Sequence, residues 1–228
     1  MDQAERMQRL ASAAADLVLP GMVIGLGTGS TADAVIRELG ARVATGLAIT
    51  SIATSSRSEA LAQSLGIPLT TLNAVERLDL GIDGADEIDP NLNAVKGRGG
   101  ALLMEKIVAL ACQRFVLVAA TEKDVTQLGL RMPLPVEVVS FGWKQTASRL
   151  AALGLSPKLR LTDDASAPYV TDNGGYTLDC DTGAIENATA LSAAIKAITG
   201  VVDHGLFVDL ATDALQVSPD GELIHRTR

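Results

Sequence analysis

Short aliphatic runs at 22–26, 47–53, 78–82 and 115–120 recur through the first half of this 228-residue chain, with helix-length segments between most of them. That alternation constrains the fold more than any other feature. Runs apolar on both faces need cover on both faces, so it predicts a parallel sheet overlaid by helices. In such sheets ligands collect where loops leave the carboxyl ends of the strands. Four polar loops fit that position: 28–31, 54–58, 83–89 and 121–124. Ahead of them, Met7, Leu10, Ala11, Ala14, Leu17 and Val18 have helical spacing, and the segment is read as a structural helix and not a targeting peptide.

From Pro133 the texture changes to a strand over 134–139, a helix over 143–153, strands over 158–162, 169–171 and 176–180, a helix over 191–198 and a closing strand over 201–207. Asp172-Asn173-Gly174-Gly175 is a hairpin signal between two of these strands. The order approximates the split β-α-β-β-α-β arrangement of ferredoxin-like domains. The last segment, 215–224 with Asp220-Gly221 as its turn, is expected to return to the first domain. The fold class is therefore α/β: a Rossmann-like parallel-sheet domain over 1–130 and 206–228, with a smaller ferredoxin-like α+β domain, 131–205, inserted before the C-terminal segment.

Bulk properties exclude several functions. A net charge of −8 repels nucleic acid and anionic membranes, and 3% aromatic residues leave little to stack on bases. Any phosphate must be drawn in by a local arrangement. Cys112 and Cys180 fit no metal or redox spacing, so reduced thiols in a cytoplasmic protein are expected. The most apolar stretch, 101–121, is broken by Glu105, Lys106 and Arg114 and is no clean membrane span. His204 and His225 sit in no polar motif, which leaves zinc and histidine chemistry without support.

Three motifs carry candidate chemistry. Gly25-Leu26-Gly27-Thr28-Gly29-Ser30-Thr31 joins a strand to a helix, so backbone N–H groups and three hydroxyls could cradle a phosphate; a plain glycine turn with a Ser/Thr cap fits about as well. Ser30 stands where a dinucleotide fingerprint has its third glycine, and no Gly-Lys-Ser/Thr follows. Asp83-Gly84-Ala85-Asp86-Glu87-Ile88-Asp89 sets four carboxylates in seven residues at a strand end, which suits either a divalent metal or hydroxyl binding and proton handling on a polyol. Lys96-Gly97-Arg98-Gly99-Gly100 is a flexible cationic loop ahead of a helix over 101–112 whose charged residues are Glu105 and Lys106. A carboxylate there is either ion-paired or desolvated into a useful general base. Lys123 adds a positive charge just past the 115–120 strand.

Taken in order with Pro133-Leu134-Pro135-Val136-Glu137-Val138, Val170-Thr171-Asp172-Asn173-Gly174, Gly200-Val201-Val202 and Gly205-Leu206-Phe207, these motifs resemble type A ribose-5-phosphate isomerase over nearly the whole chain. The resemblance implies reversible conversion of ribose 5-phosphate to ribulose 5-phosphate in the pentose phosphate pathway, no cofactor or metal, a two-domain α/β fold, and a homodimer or larger oligomer. It implies that Glu105 is the base, with Lys96, Asp83 and Asp86 as its catalytic partners. Substrate contacts would come from Thr28, Gly29, Ser30, Thr31, Asp83, Gly84, Ala85, Asp86, Lys96, Gly97, Arg98, Gly99 and Lys123. Three positions depart from the family pattern. Arg98 replaces a glycine, Met104 a polar or basic residue, and Met7 a lysine, so that a phosphate contact from the first helix would fall to Arg6 or Arg9. The competing function is a sugar-phosphate sensor without catalysis, and a nucleotide-dependent enzyme is a third.

Overall fold

The computed structural model describes every residue from Met1 to Arg228. Along the chain run α1 (Gln3–Ala15), β1 (Val23–Leu26), α2 (Ser30–Ala44), β2 (Thr50–Ala53), α3 (Ser56–Ser64), β3 (Leu78–Gly84), β4 (Glu87–Ile88), β5 (Ala94–Val95), α4 (Leu102–Ala111) and β6 (Cys112–Ala120). There follow β7 (Leu134–Val138), α5 (Trp143–Ala152), β8 (Ser156–Leu159), β9 (Tyr176–Asp181), α6 (Ala188–Lys196), β10 (Val201–His204), β11 (Leu206–Phe207), β12 (Asp213–Val217) and β13 (Leu223–Thr227). The chain divides into two compact units.

The first unit, Met1–Ala85, Met104–Lys123 and Asp209–Arg228, is built on a six-stranded sheet in the order β13-β12-β6-β3-β1-β2. All pairings are parallel except β12 with β13. Leu10, Ile24, Leu26, Ile36, Leu39, Leu80, Val116, Val118 and Val217 form its main core. At about 1.5–3 kcal/mol for each fully buried Leu, Ile or Val side chain, this packing holds the sheet. The α1 helix starts from a capping box, with Asp2 accepting from the Glu5 N–H and Glu5 accepting from the Asp2 N–H. Strand order runs outward from β1 in both directions, so β1 and β3 flank a topological switch point, and the loops at their carboxyl ends take the usual ligand position.

The second unit, Asp86–Leu103 and Asp124–Val208, carries an antiparallel sheet in the order β10-β7-β9-β8. With α5 and α6 as its two crossovers, this is the ferredoxin-like arrangement expected from the strand and helix order. A further small sheet, β11-β5-β4, belongs to the same unit.

Several expected boundaries are corrected. The segments 86–103, 124–130 and 206–208, assigned by sequence to the first domain, pack in the second unit, where β5 pairs with β4 on one side and with β11 on the other. The single closing strand expected over 201–207 breaks at Gly205: β10 pairs with β7 while β11 pairs with β5. Any side chain at Gly205 would collide with the Lys96 carbonyl. Helix α4 ends at Ala111, and β6 begins directly at Cys112. The expected 169–171 strand reduces to an isolated bridge between Val170 and Tyr176.

Candidate active site

The glycine loop after β1 is shaped by what it passes. A methyl group at Gly27 would run into Asp83 at the end of β3, which makes glycine the residue that lets the two strand ends approach. Gly29, at φ +114°, caps α2 in a conformation that side-chain-bearing residues avoid, and it supplies no side-chain acceptor. The first-turn N–H groups of α2 are thus left for another acceptor, at the positive end of a 15-residue helix. Ser30 is exposed beside them and Thr31 half-buried.

Thr28 is turned the other way. Its hydroxyl lies 2.8 Å from Thr54 Oγ1, 2.8 Å from Ser55 Oγ and 3.0 Å from Ser58 Oγ, while Ser58 Oγ donates to the Gly27 carbonyl at 2.7 Å. The Thr28 N–H donates to Asp83 Oδ1 at 3.1 Å, and the Gly84 N–H to the same oxygen at 2.7 Å. Thr28 therefore knits the loop after β1 to those after β2 and β3. The position of the 54–58 loop at a strand end is legible in the sequence, but nothing in its residues distinguishes buried hydroxyls that brace a neighbour from exposed ones that meet a ligand.

The four carboxylates of the acidic run serve four separate ends, which disposes of their mutual repulsion. Asp83, 2% exposed, closes the loop after β3. Asp86 Oδ2 accepts the Arg98 N–H at 3.1 Å. Glu87 is fully buried and accepts the N–H groups of Gly129, Arg131 and Met132 at 2.6, 2.6 and 2.9 Å. Asp89 binds the Asn91 and Asn93 N–H groups, both at 2.8 Å, and so makes the β4–β5 turn. No group of three or more His, Cys, Asp or Glu side chains is arranged to hold a metal ion.

Glu105 lies in the first turn of α4 and is 2% exposed. With Asp83, Gly25, Gly27, Thr54 and Phe115 it lines a small internal gap of the first unit, too tight for a water molecule. Cys112 is close enough that burial, aided by the charge of Asp83, pushes its thiol up to about 12. Lys123 leaves the carboxyl end of β6, the strand beside β3, half-buried and without an ion pair. Neighbouring Glu122 is bound by Arg6 at 2.8 Å, and this hydrogen bond holds the carboxyl below its ordinary value. Arg6 is thus already engaged, and Arg9 is exposed.

The candidate residues divide between the units. Thr28 to Thr31, Asp83 to Ala85, Glu105 and Lys123 belong to the first, and Asp86 and Lys96 to Gly99 to the second. In the second unit Lys96 is 2% exposed, with Nζ 5.4 Å from the centroid of the Phe207 ring, a cation–π contact. Its N–H donates to the Gly205 carbonyl at 2.9 Å. Arg98 needs no glycine: positive φ occurs at Gly97 and Gly100, its own side chain is exposed, and its backbone alone is engaged. Met104 lines an apolar cavity of about 290 Å³ with Ile52, Leu69, Leu72 and Val108, where a methionine fits. Met7 packs against the first core.

Residues 50–221 match the family model described as ribose 5-phosphate isomerase A (phosphoriboisomerase A). Over 223 residues the chain is 52% identical to ribose-5-phosphate isomerase A of Roseiflexus castenholzii, covering 97% of this chain and 95% of the relative. Among solved structures, ribose 5-phosphate isomerase A of Methanocaldococcus jannaschii superposes with a TM-score of 0.94 at 36% identity, over the whole of both chains. A D-ribose-5-phosphate isomerase in complex with phospho-erythronic acid gives 0.96 at 34%, again over both whole chains. A core of matching motifs, a common fold and sequence identity along nearly the full length all agree: the chain belongs to the ribose 5-phosphate isomerase A family.

Proposed function

We propose that this protein interconverts D-ribose 5-phosphate and D-ribulose 5-phosphate by proton transfer through an enediolate, as an enzyme of the pentose phosphate pathway. The observation that carries the proposal is Glu105, a buried carboxylate that lines, with Asp83, a small internal gap beside the carboxyl ends of β1 and β3. Relocating the carbonyl from C1 to C2 means removing the C2 proton and delivering a proton to C1, while negative charge builds on the former carbonyl oxygen. Glu105 moves that proton, and Lys96 is the cation that stabilises the oxyanion. Asp83 assists ring opening and carries the hydroxyl proton between O1 and O2, and Asp86 binds sugar hydroxyls through the oxygen not committed to Arg98. Gly29, Ser30 and Thr31 at the α2 N-terminus, with Lys123, hold the phosphate; Thr28 contributes by bracing their loop. Binding energy at the phosphate fixes the reacting carbons against the base. Support from a relative comes from the isomerase complex with phospho-erythronic acid, a phosphorylated sugar acid whose planar carboxylate resembles an enediolate. The same reading makes the protein cytoplasmic and homo-oligomeric, in keeping with the free thiols at Cys112 and Cys180.

The test is an isomerisation assay on ribose 5-phosphate with Glu105→Gln beside the wild type. A positioned base supplies about 10²- to 10⁴-fold, so turnover should fall by that factor with KM little changed. Turnover within a few-fold of wild type would remove Glu105 from this role. Activity is expected to survive EDTA, and loss on chelation with recovery in magnesium would return the acidic run to a metal role. Binding of ribose 5-phosphate without exchange of the C2 proton would mark a sensor instead of an enzyme.

A further inference from the structure

The loop that presents Lys96 has little of its own to hold it in place. Three of the five residues from 96 to 100 are glycines, two of them at positive φ. Such a segment has many conformations in reach, and fixing it takes donors from outside. Arg160, just past β8, supplies them. Its Nη1 donates to the Gly97 carbonyl at 3.1 Å and to the Arg98 carbonyl at 2.9 Å. The rest of the guanidinium is spoken for by Asp179 on β9, through Nε to Oδ2 at 2.9 Å and Nη2 to Oδ1. Tyr169 completes the arrangement. The Arg160 guanidinium carbon lies 5.9 Å from the Tyr169 ring centroid, and the Tyr169 hydroxyl sits so close to Gly100 that any side chain there would collide with it. The Arg160 side chain is 15% exposed and that of Asp179 25%, so neither is a loosely solvated surface ion.

We propose that Arg160, aimed by Asp179 and backed by Tyr169, is a positioning residue for Lys96: it locks the 97–98 backbone and thereby sets where the lysine ammonium stands. The proposal rests on the role given to Lys96 above. Arginine is the side chain suited to this task. A planar fork binds a carboxylate through one edge and still directs an N–H at two carbonyls, whereas the ammonium of a lysine offers no such fixed geometry. The Asp86 carboxylate takes the Arg98 N–H, and Gly205 takes the Lys96 N–H, so the loop is gripped on both its donors and its acceptors.

The test is a double-mutant cycle on the full-length enzyme, with thermal melts of each variant to correct for the folded fraction. Arg160→Ala should lower kcat about 10- to 100-fold, the cost of a catalytic group displaced by roughly 1 Å, with KM changed less than about threefold. In a Lys96→Met background the same substitution should cost almost nothing more, because the group it positions is gone. Asp179→Asn, which keeps the shape and removes the charge that aims the fork, should reproduce the kcat loss in milder form if Arg160→Ala folds poorly. An equal kcat loss in both backgrounds, an unchanged kcat in folded Arg160→Ala and Asp179→Asn, or an effect confined to KM would overturn the proposal while leaving Lys96 in its role. Near-normal turnover in Lys96→Met alone would overturn the Lys96 assignment, and this inference with it.

Discussion

Gly27→Ala adds one methyl group where the loop leaving β1 passes the end of β3. Built on the existing backbone, that methyl carbon lies 2.6 Å from Asp83 Cα, whereas ordinary contact begins at 3.4 Å. The shortfall of about 0.8 Å is against backbone and cannot be relieved by turning a side chain, so the loop after β1 or the end of β3 must move by nearly that much. Overpacking of this kind costs about 1–3 kcal/mol, which for a chain of this size lowers Tm by roughly 2–12 °C. The displaced group is Asp83, and a shift approaching 1 Å at a reacting centre lowers turnover by up to about 100-fold. Thermal melting and the isomerisation assay measure the two effects separately. Gly84→Ala is the stability control, since its added carbon would meet nothing nearer than Thr31 Cβ at 3.9 Å, and its Tm should shift by less than about 2 °C. A Gly27→Ala variant with unchanged Tm would refute the packing argument. A lowered Tm with unimpaired turnover would instead refute the role of Asp83.

Burial raises the Asp213 carboxyl, but hydrogen bonds from Arg114, Thr212 and His225, with the charge of Arg114, outweigh it and hold the group well below the usual carboxylate range. Its contribution to stability is therefore present above the ordinary carboxylate pKa and lost as pH falls through the folded value. Asp213→Asn should lower the urea midpoint at pH 7 and narrow its gap to wild type in acid; an equal gap at both would count against the linkage. Glu137 behaves oppositely, because burial pushes its carboxyl up despite the Thr171 and Asn173 hydrogen bonds. Its contribution is complete below the unfolded value and lost as pH rises through the folded one, so Glu137→Gln should raise Tm at pH 7 and make little difference near pH 4. Burial pushes the thiols of both Cys112 and Cys180 up to about 12, and a native sample at pH 8 should label slowly with a thiol reagent without losing activity. Rapid stoichiometric labelling of folded protein would contradict that.

The alternation of aliphatic runs and helical segments was enough to establish the parallel sheet, because strands buried on both faces need continuous apolar sequence and a helix to return them. The hairpin signal and the strand and helix order after Pro133 similarly disclosed the ferredoxin-like unit, and the ordered motifs disclosed the family. Each of these is encoded in near neighbours. What the sequence could not divide was the acidic run. Asp83, Asp86, Glu87 and Asp89 look alike on paper, yet the N–H groups they accept come from as far away as Thr28, 55 residues earlier, and Met132, 45 residues later. The inward turn of Thr28, the break at Gly205, the tolerance of an arginine at position 98 and the grip of Arg160 on the lysine loop have the same origin. Hydrogen-bond partners and close approaches between segments distant in sequence exist only once the chain has folded, so tertiary structure alone decided which of several equivalent polar residues braces the scaffold.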